Sequence, residues 1–275
     1  MKRLVFIYNY FIYRLRAINE HGVHSPFVYD LLTNVIYNRN RYYCFKKIKN
    51  VREQFLQSKK TICINETYWD TLSGSNNECI SACSKGKTNT IEKKAWQLAK
   101  QITIPPVYSQ LLFRLTNHFQ PSKIIELGTS LGFHTAYLAA AGSEIDVITL
   151  EENKEIADII KQNYKQLKLK NIEQKTGRID TVLAEVLTGC PTLNFVLFNG
   201  NHCKQETLNH FHLCLEKAND ASIFVFEGMN TSPEMKKAWN EIKNNALVTV
   251  TLDLFYLKIV FFRKEQVKQH FLIKF

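Results

Sequence analysis

From Lys123 onward, short runs of β-branched and other apolar residues alternate with longer segments of helical pattern. The apolar runs occupy five segments: Lys123–Gly128, Asp146–Glu151, Ile172–Gly177, Asn194–Gly200 and Ala221–Gly228. The segments between them, such as Lys154–Leu167 and Lys204–Lys217, carry apolar residues three or four positions apart. Strands that alternate with helices in this way build a parallel α/β sheet. Because the runs are almost continuously apolar, we expect helices to cover both faces of the sheet.

The end of the chain departs from this alternation. Two further strand-like runs, Val248–Leu254 and Lys258–Lys264, follow one another with a very short connection and no helix between them. Only antiparallel strands can be joined so closely. A dinucleotide-binding dehydrogenase domain would be expected to continue with another crossover helix, so the terminal hairpin argues against that class.

Residues 1 to about 110 form a different region, rich in aromatic residues and mostly helical in pattern. It begins with an amphipathic segment far shorter than the ~20 apolar residues of a membrane span, so no transmembrane segment is expected. A polar stretch at Asp70–Asn77 has the composition of a loop, and helical patterning returns from about 85 to 118. Pro105 and Pro106 mark the start of a helix there. We predict an N-terminal helical cap region at 1–110 and the main domain at 111–275.

The segment Ile124–Ala139 carries the strongest local signal. A hydrophobic strand reaches Glu126, turns through Gly128 and Gly132, and enters a helix. Glycine at such a turn lets a ligand approach the backbone, and the amides at a helix start favour an anionic group. A dinucleotide-binding turn has the spacing Gly-x-Gly-x-x-Gly, which is absent here. The spacing therefore favours a different nucleotide-like ligand.

The second strand supplies another acid at the same edge of the sheet. Glu151 lies 19 residues beyond Gly132, where a carboxylate is placed to hydrogen-bond both hydroxyls of a ribose. The glycine turn, the two acids and the terminal hairpin together predict a nucleoside-containing cofactor. An α/β domain that binds no ligand is the alternative that these features leave open.

On the basis of these residues, the segment 123–264 resembles the class I S-adenosylmethionine (SAM) dependent methyltransferases, in particular their O-methyltransferase branch. The whole chain is also similar to a group of poorly characterised bacterial methyltransferase-like proteins. The stretches that carry this closer similarity include His21–Phe27, Glu126–Gly132, Asn199–His202, Ser232–Met235 and Val260–Arg263. The resemblance implies a Rossmann-like sheet of seven strands, with the last strand inserted antiparallel, and SAM as the cofactor.

The resemblance also implies which residues bind the cofactor. The methionine end would lie against the first turn, at Glu126, Gly128, Thr129, Ser130 and Gly132. Glu151 would hold the ribose, Arg178 and Ile179 would lie near the adenine, and Asn199 would face the methyl group.

Two positions depart from the pattern of the family. Relatives usually have an aspartate where this chain has Asn199, and Glu227 is followed by Gly228 instead of an Asp or Asn. Metal-dependent relatives bind a divalent cation through such carboxylates, which are the ligands that hard cations require. We therefore expect no metal site. The stretch Asp70–Ser75 also looks like a degraded form of a glycine-rich segment found in relatives.

Methyl transfer needs a general base only when the acceptor must lose a proton. His202 follows the fourth strand on the edge where ligands bind, so it is the predicted base, with Asn199 beside it. A capping or surface role for His202 is the alternative. His134, at the start of the first helix of the main domain, is more simply explained as a structural residue.

Three functional hypotheses remain open from the sequence. The first is SAM-dependent methyl transfer to an oxygen atom of a small-molecule acceptor. The second is methylation of RNA or another polyanion, which the formal net charge of +11 favours, although the lysines form no run of five. The third is a catalytically inactive SAM-binding or structural relative, because of Asn199 and Gly228. The aromatic residues of the first helix could also serve a homodimer.

Seven cysteines are present, an odd number in a chain too large to need disulfides. We therefore predict reduced thiols and a cytoplasmic location.

Overall fold

The computed structural model describes residues 2–66, 69, 89–102, 104–199 and 203–275. The polar stretches predicted at Asp70–Asn77 and Asp70–Ser75 lie outside these residues, and so does His202. None of the helices within the described residues has the length and apolar character needed to cross a bilayer.

The described residues of the N-terminal region form α-helices, a short 3-10 helix at Glu20–Gly22 and a two-stranded ribbon. The helices are α1 (Lys2–Arg16), α2 (Pro26–Leu31, continued by a π-turn at Leu32–Ile36), α3 (Tyr43–Gln57), α4 (Ala95–Ile102) and α5 (Pro106–Phe119). Strands β1 (Thr61–Asn65) and β2 (Thr90–Lys94) pair antiparallel. The helical prediction for about 85 to 118 is therefore wrong at Thr90–Lys94, while α4 and α5 confirm helix in most of the remaining described residues. In β2 the side chains alternate between exposed and half-buried, which is the pattern of a ribbon with one covered face.

The remaining elements follow the predicted alternation. The strands are β3 (Lys123–Leu127), β4 (Asp146–Glu151), β5 (Ile172–Thr176), β6 (Leu193–Phe198), β7 (Ala218–Glu227), β8 (Val250–Asp253), β9 (Leu257–Phe261) and β10 (Gln269–Leu272). The helices are α6 (Phe133–Ala139), α7 (Lys154–Leu167), α8 (Ile179–Thr188), α9 (Lys204–Leu215) and α10 (Pro233–Asn244).

The main sheet has eight strands in the order β10-β8-β9-β7-β6-β3-β4-β5. Strand β9 is antiparallel to both of its neighbours, while the other pairs are parallel, so the predicted α/β class and inserted antiparallel strand are confirmed. The prediction of seven strands is wrong by one, because β10 adds in parallel to β8. This edge strand is four residues long and carries Gln269 and His270, so it has no apolar run to reveal it.

Successive residues of the central strands face opposite sides of the sheet. Ile124 and Phe195 point to the side covered by α2, its π-turn and α5. Ile125 and Val196 point to the side covered by α8, α9 and α10. Each such large apolar side chain contributes about 1.5–3 kcal/mol by leaving water.

The N-terminal region is fastened to this core by specific contacts. Tyr13 of α1 donates a hydrogen bond to the carbonyl of Ile273 beyond β10, at 2.5 Å. Arg114 of α5 is buried and donates to the carbonyls of Val35 and Ile36, at 2.7 and 3.1 Å, which satisfies the π-turn. The expected domain boundary near residue 110 falls inside α5, and the division into a cap and a catalytic domain stays a prediction.

The cysteines are only partly as expected. Cys44, Cys63, Cys190 and Cys214 carry free thiols. Cys203 is disulfide-bonded, so the prediction of reduced thiols is wrong for this residue. The cytoplasmic location stays a prediction.

Candidate functional site

The turn between β3 and α6 is held in an unusual backbone conformation. Gly128, Ser130 and Gly132 all have positive φ, at 87°, 56° and 73°. The amides of Gly128 and Thr129 both donate to the carbonyl of Leu150 in β4, at 3.0 and 3.2 Å. The turn is therefore tied to the neighbouring strand and lies at the carboxyl edge of the sheet.

Gly132 is required by packing as well as by its dihedral angle. A Cβ at this position would lie 2.5 Å from Cγ2 of Ile160 and 2.8 Å from the hydroxyl oxygen of Tyr164, both on α7. The sequence pattern attributed this glycine to the approach of a ligand. The structure adds a second reason, which is the close contact between the start of α6 and α7. The role in ligand binding stays a prediction.

Glu126 is fully buried at the end of β3. Its Oε2 accepts hydrogen bonds from the hydroxyls of Thr135 and Thr149, the latter at 2.7 Å. Its Oε1 has no hydrogen-bond partner. Burial raises the pKa of this carboxyl to about 7, against the lowering effect of its hydrogen bonds. Asn199, at the end of β6, also lies close enough to lower this pKa. The side chain therefore has one acceptor atom, Oε1, that makes no hydrogen bond, with Asn199 nearby.

Glu151 closes β4 and fixes the turn from the other side. Its Oε2 accepts from the amide of Ser130 at 3.2 Å, and its Oε1 accepts from the amide of Asn153 at 2.9 Å. Burial raises the pKa of Glu151 to about 8. Each carboxylate oxygen has a second lone pair, so Glu151 can accept from a ribose while keeping these bonds.

The start of α8 lies next along the same edge. The amide of Ile179 donates to Oε1 of Glu152 at 2.9 Å, whereas Arg178 forms an exposed ion pair with Asp180 at 3.1 Å. Asp180 also accepts from His210 of α9 at 2.6 Å. Glu152 was not among the predicted site residues, although it follows Glu151 directly in an acidic strand end.

The ends of β6 and β7 form the third part of the site. The amide nitrogen of Asn199 lies 3.2 Å from Nδ1 of His134, and the same ring nitrogen lies 3.6 Å from Oε2 of Glu227. Burial lowers the pKa of His134 to about 4 and raises that of Glu227 to about 8. Neither residue was predicted to belong to the site. In the sequence, only the place of His134 at a helix start and of Glu227 at a strand end could have indicated that they lie at this edge of the sheet.

This group of residues lines two clefts, which are related by the contact between Asn199 and His134. Asn199 and Glu227 line the first cleft, together with Leu127, Ile179, Phe198, Thr207, His210, Phe226 and Met229. His134 lines the second, which lies between the N-terminal region and the turn and is also bordered by Arg52, Ile104, Ser109, Thr129, Ser130, Leu131 and Phe133. Among the described residues, no three His, Cys, Asp or Glu side chains come together as a metal site.

The three buried carboxyls predict how the stability of the ligand-free protein depends on pH. Their folded pKa values of about 7, 8 and 8 exceed the unfolded value of 4.5, so the folded state keeps protons that the unfolded state releases. Stability therefore falls as the pH rises towards 8, by up to about 1.4 kcal/mol per pH unit for each carboxyl. Denaturant unfolding at pH 6.5 to 8 measures this. The lowered pKa of His134 has the opposite effect near pH 6.5, and this effect has ended by about pH 7.5.

Replacing Glu227 with Gln should make the decline shallower, whereas Glu216→Gln, at an exposed position on the C-terminal side of α9, should not alter it. A flat profile for the wild-type protein between pH 6.5 and 8 would contradict the burial of these charges.

Neither a protein-family model nor a curated protein matches the sequence. Several solved structures, however, have a similar fold. An O-methyltransferase from Bacillus cereus, solved with S-adenosylhomocysteine (SAH), is 16% identical with a TM-score of 0.53 and covers 82% of this chain and 93% of its own. The O-methyltransferase TomG from Streptomyces achromogenes, solved with SAM, is 16% identical with a TM-score of 0.52 and covers 59% and 82%.

The chain has the SAM-dependent methyltransferase fold. The identities are low, so the likeness is one of fold. Within the methyltransferase fold, the predicted positions Glu126, Thr129, Ser130 and Glu151 are connected by hydrogen bonds through Thr149 and the turn. Arg178 and Ile179 lie further along the edge, and Asn199 lies on the other side, against His134.

Proposed function

We propose that the protein transfers a methyl group from SAM to a hydroxyl oxygen of a small-molecule acceptor. The main support is a series of polar backbone and side-chain groups along the carboxyl edge of a methyltransferase fold. The series runs from Ile179 through Glu151 and the turn to Asn199. The solved neighbours are O-methyltransferases and include complexes with SAM and SAH. They lend no support to the RNA hypothesis or to an inactive relative.

The residues present suit this cofactor. Glu151 has lone pairs for the ribose hydroxyls, and the exposed acid Glu152 already binds a backbone amide at the place proposed for the adenine. Beneath the turn, Oε1 of Glu126 is buried and makes no hydrogen bond, so it can accept one from a ligand. An ammonium group such as that of methionine supplies donors for it. We propose that Gly128, Thr129, Ser130 and Gly132 line this end.

When bound, SAM supplies an activated methyl group whose leaving group needs no protonation. The residues of this chain then have to place the acceptor oxygen in line with that methyl and exclude water. The cleft beside Arg52, Ser109 and His134 is the proposed acceptor site, since it adjoins Asn199 through His134. His202 stays a proposed base, and its position lies outside the described residues.

We also propose that the protein is close to the uncharacterised bacterial methyltransferase-like proteins and that it needs no metal ion for the reaction. A homodimer could form through α1, whose outer side exposes Val5, Ile7, Tyr8, Phe11 and Leu15.

Isothermal titration calorimetry with SAM and SAH tests the proposed function directly. The wild-type protein is expected to bind both at micromolar concentration, and Gly128→Val is expected to abolish binding. Gly128 has a φ of 87°, which a β-branched residue essentially never adopts, so the turn would have to rearrange. Gly189→Ala serves as the control, because Gly189 lies at a φ of −85° beyond α8. A folded wild-type sample that binds neither ligand would refute the function.

A further inference from the structure

Glu227 is a buried acid, and one of its carboxyl oxygens has no hydrogen-bond partner. Its side chain is only 10% exposed, at the end of β7, and its Oε2 makes no hydrogen bond. The neighbouring strand end places the amide of Asn199 against His134, so the same three residues form a compact group. A buried polar atom without a partner calls for an explanation, and a missing ligand is one.

The groups that face Glu227 do not compensate a negative charge. His134 of α6 is the nearest basic side chain, and its lowered pKa makes it neutral at pH 7. Glu126 of β3 raises the pKa of Glu227 further by repulsion. His210 of α9, which lines the same cleft, is engaged by Asp180. Arg52 of α3 borders the second cleft and helps burial to keep His134 in its neutral form, so His134 does not supply the counter-charge for an ionised Glu227.

The cleft in which Glu227 lies joins two parts of the proposed cofactor site. Ile179, at the place proposed for the adenine, borders this cleft, and so does Asn199, at the place proposed for the methyl group. A cation in this cleft would be paired with an otherwise isolated acid, and the ion pair would form in a site from which water is largely excluded.

We propose that Glu227 recognises the positive charge of the SAM sulfonium and thereby makes the site prefer SAM to SAH. This inference rests on the proposed function. An amine group on the acceptor is the other possible source of such a cation, and the two sources are separated by comparing SAM with SAH, which lacks the sulfonium charge.

The same arrangement has a consequence for the proton balance. Methyl transfer breaks the bond from sulfur to the methyl carbon and the O–H bond of the acceptor, and it forms the new O–C bond. One proton is released and the sulfonium charge is lost. Glu227 can take up that proton once the cation is gone, because burial then favours its neutral form. A protonated Glu227 has no charge with which to attract the product. Its protonation therefore assists the release of SAH.

The test compares the affinities of SAM and SAH for the wild-type protein and for Glu227→Gln at pH 7.5. Gln has nearly the same shape as Glu but cannot carry the charge. We expect the SAM affinity to fall about tenfold and the SAH affinity to change by less than about twofold, since only SAM gains from a charge pair. Glu216→Gln, the exposed control, should alter neither affinity.

Proton linkage gives an independent readout. Calorimetry in buffers of different ionisation enthalpy should show more protons released when SAM binds the wild-type protein than when it binds Glu227→Gln. Glu227→Asp keeps the charge and should retain part of the preference for SAM. It also provides a second variant if Glu227→Gln does not fold.

Equal losses for SAM and SAH, or unchanged proton release in Glu227→Gln, would overturn the role of Glu227 and leave the proposed function standing. If the wild-type protein binds neither ligand, both the function and this inference fail.

Discussion

Gly132→Ala is expected to destabilise the protein by about 2–5 kcal/mol, from about 1–2 kcal/mol of left-handed backbone strain and about 1–3 kcal/mol of overpacking. The new methyl group would lie within 3 Å of Ile160 and Tyr164, and the φ of 73° already disfavours any side chain. Both neighbours are buried on α7, which limits how far they can move aside. Chemical denaturation monitored by circular dichroism measures the loss.

Gly189→Ala is the matched control for this experiment. The nearest atom to an added Cβ at Gly189 is a carbonyl oxygen at 3.7 Å, and the φ there is −85°. Its free energy of unfolding should stay within about 0.5 kcal/mol of that of the wild-type protein. If Gly132→Ala proves equally neutral, α6 and α7 are not packed as the structure shows.

Asp253→Ala is expected to cost about 3–5 kcal/mol, because it leaves the charge of Lys258 buried without its partner. Lys258 is 2% exposed in β9, forms an ion pair with Asp253 of β8, and lies 5.1 Å from the ring centroid of Trp239. Asp253 also accepts a hydrogen bond from the amide of Phe255 at 2.9 Å, in a turn where Phe255 has a φ of 72°. The substitution therefore removes both a counter-charge and a turn contact.

Lys258→Met separates these effects. It removes the buried charge and keeps most of the side-chain volume, so we expect a much smaller loss of unfolding free energy than for Asp253→Ala. Urea unfolding of both variants and of the double variant gives the comparison. A loss for Asp253→Ala no greater than that for Lys258→Met would show that the buried ammonium needs no partner.

These two sites illustrate different limits of prediction from sequence. Gly132 was identified from its place in a strand-to-helix turn, but the atoms that require it to be glycine belong to α7, which is distant in the sequence. The pair of Lys258 and Asp253 lies within the predicted hairpin. An alternating pattern alone would place a lysine in solvent, whereas in the fold β9 lies between two other strands and Trp239 of α10 covers Lys258.

The candidate site was predictable to a similar extent. Residues that follow directly from a strand end, such as Glu126, Glu151 and Asn199, could be assigned to the edge of a parallel sheet. His134 and Glu227 could not be linked, since their proximity depends on how α6 packs beside β7. Their perturbed pKa values likewise arise from burial, which is a property of the assembled core.

The sequence by itself determined the α/β alternation, the antiparallel terminal hairpin and the starts of several helices, because apolar periodicity and capping residues act locally. Ser232 and Asn153, for example, cap α10 and α7 through their own side chains. The tertiary structure decided the ribbon of β1 and β2, the eighth strand and the meeting of three buried acids along one edge. These features depend on contacts between segments far apart in the chain, whose geometry is fixed only when the core has packed.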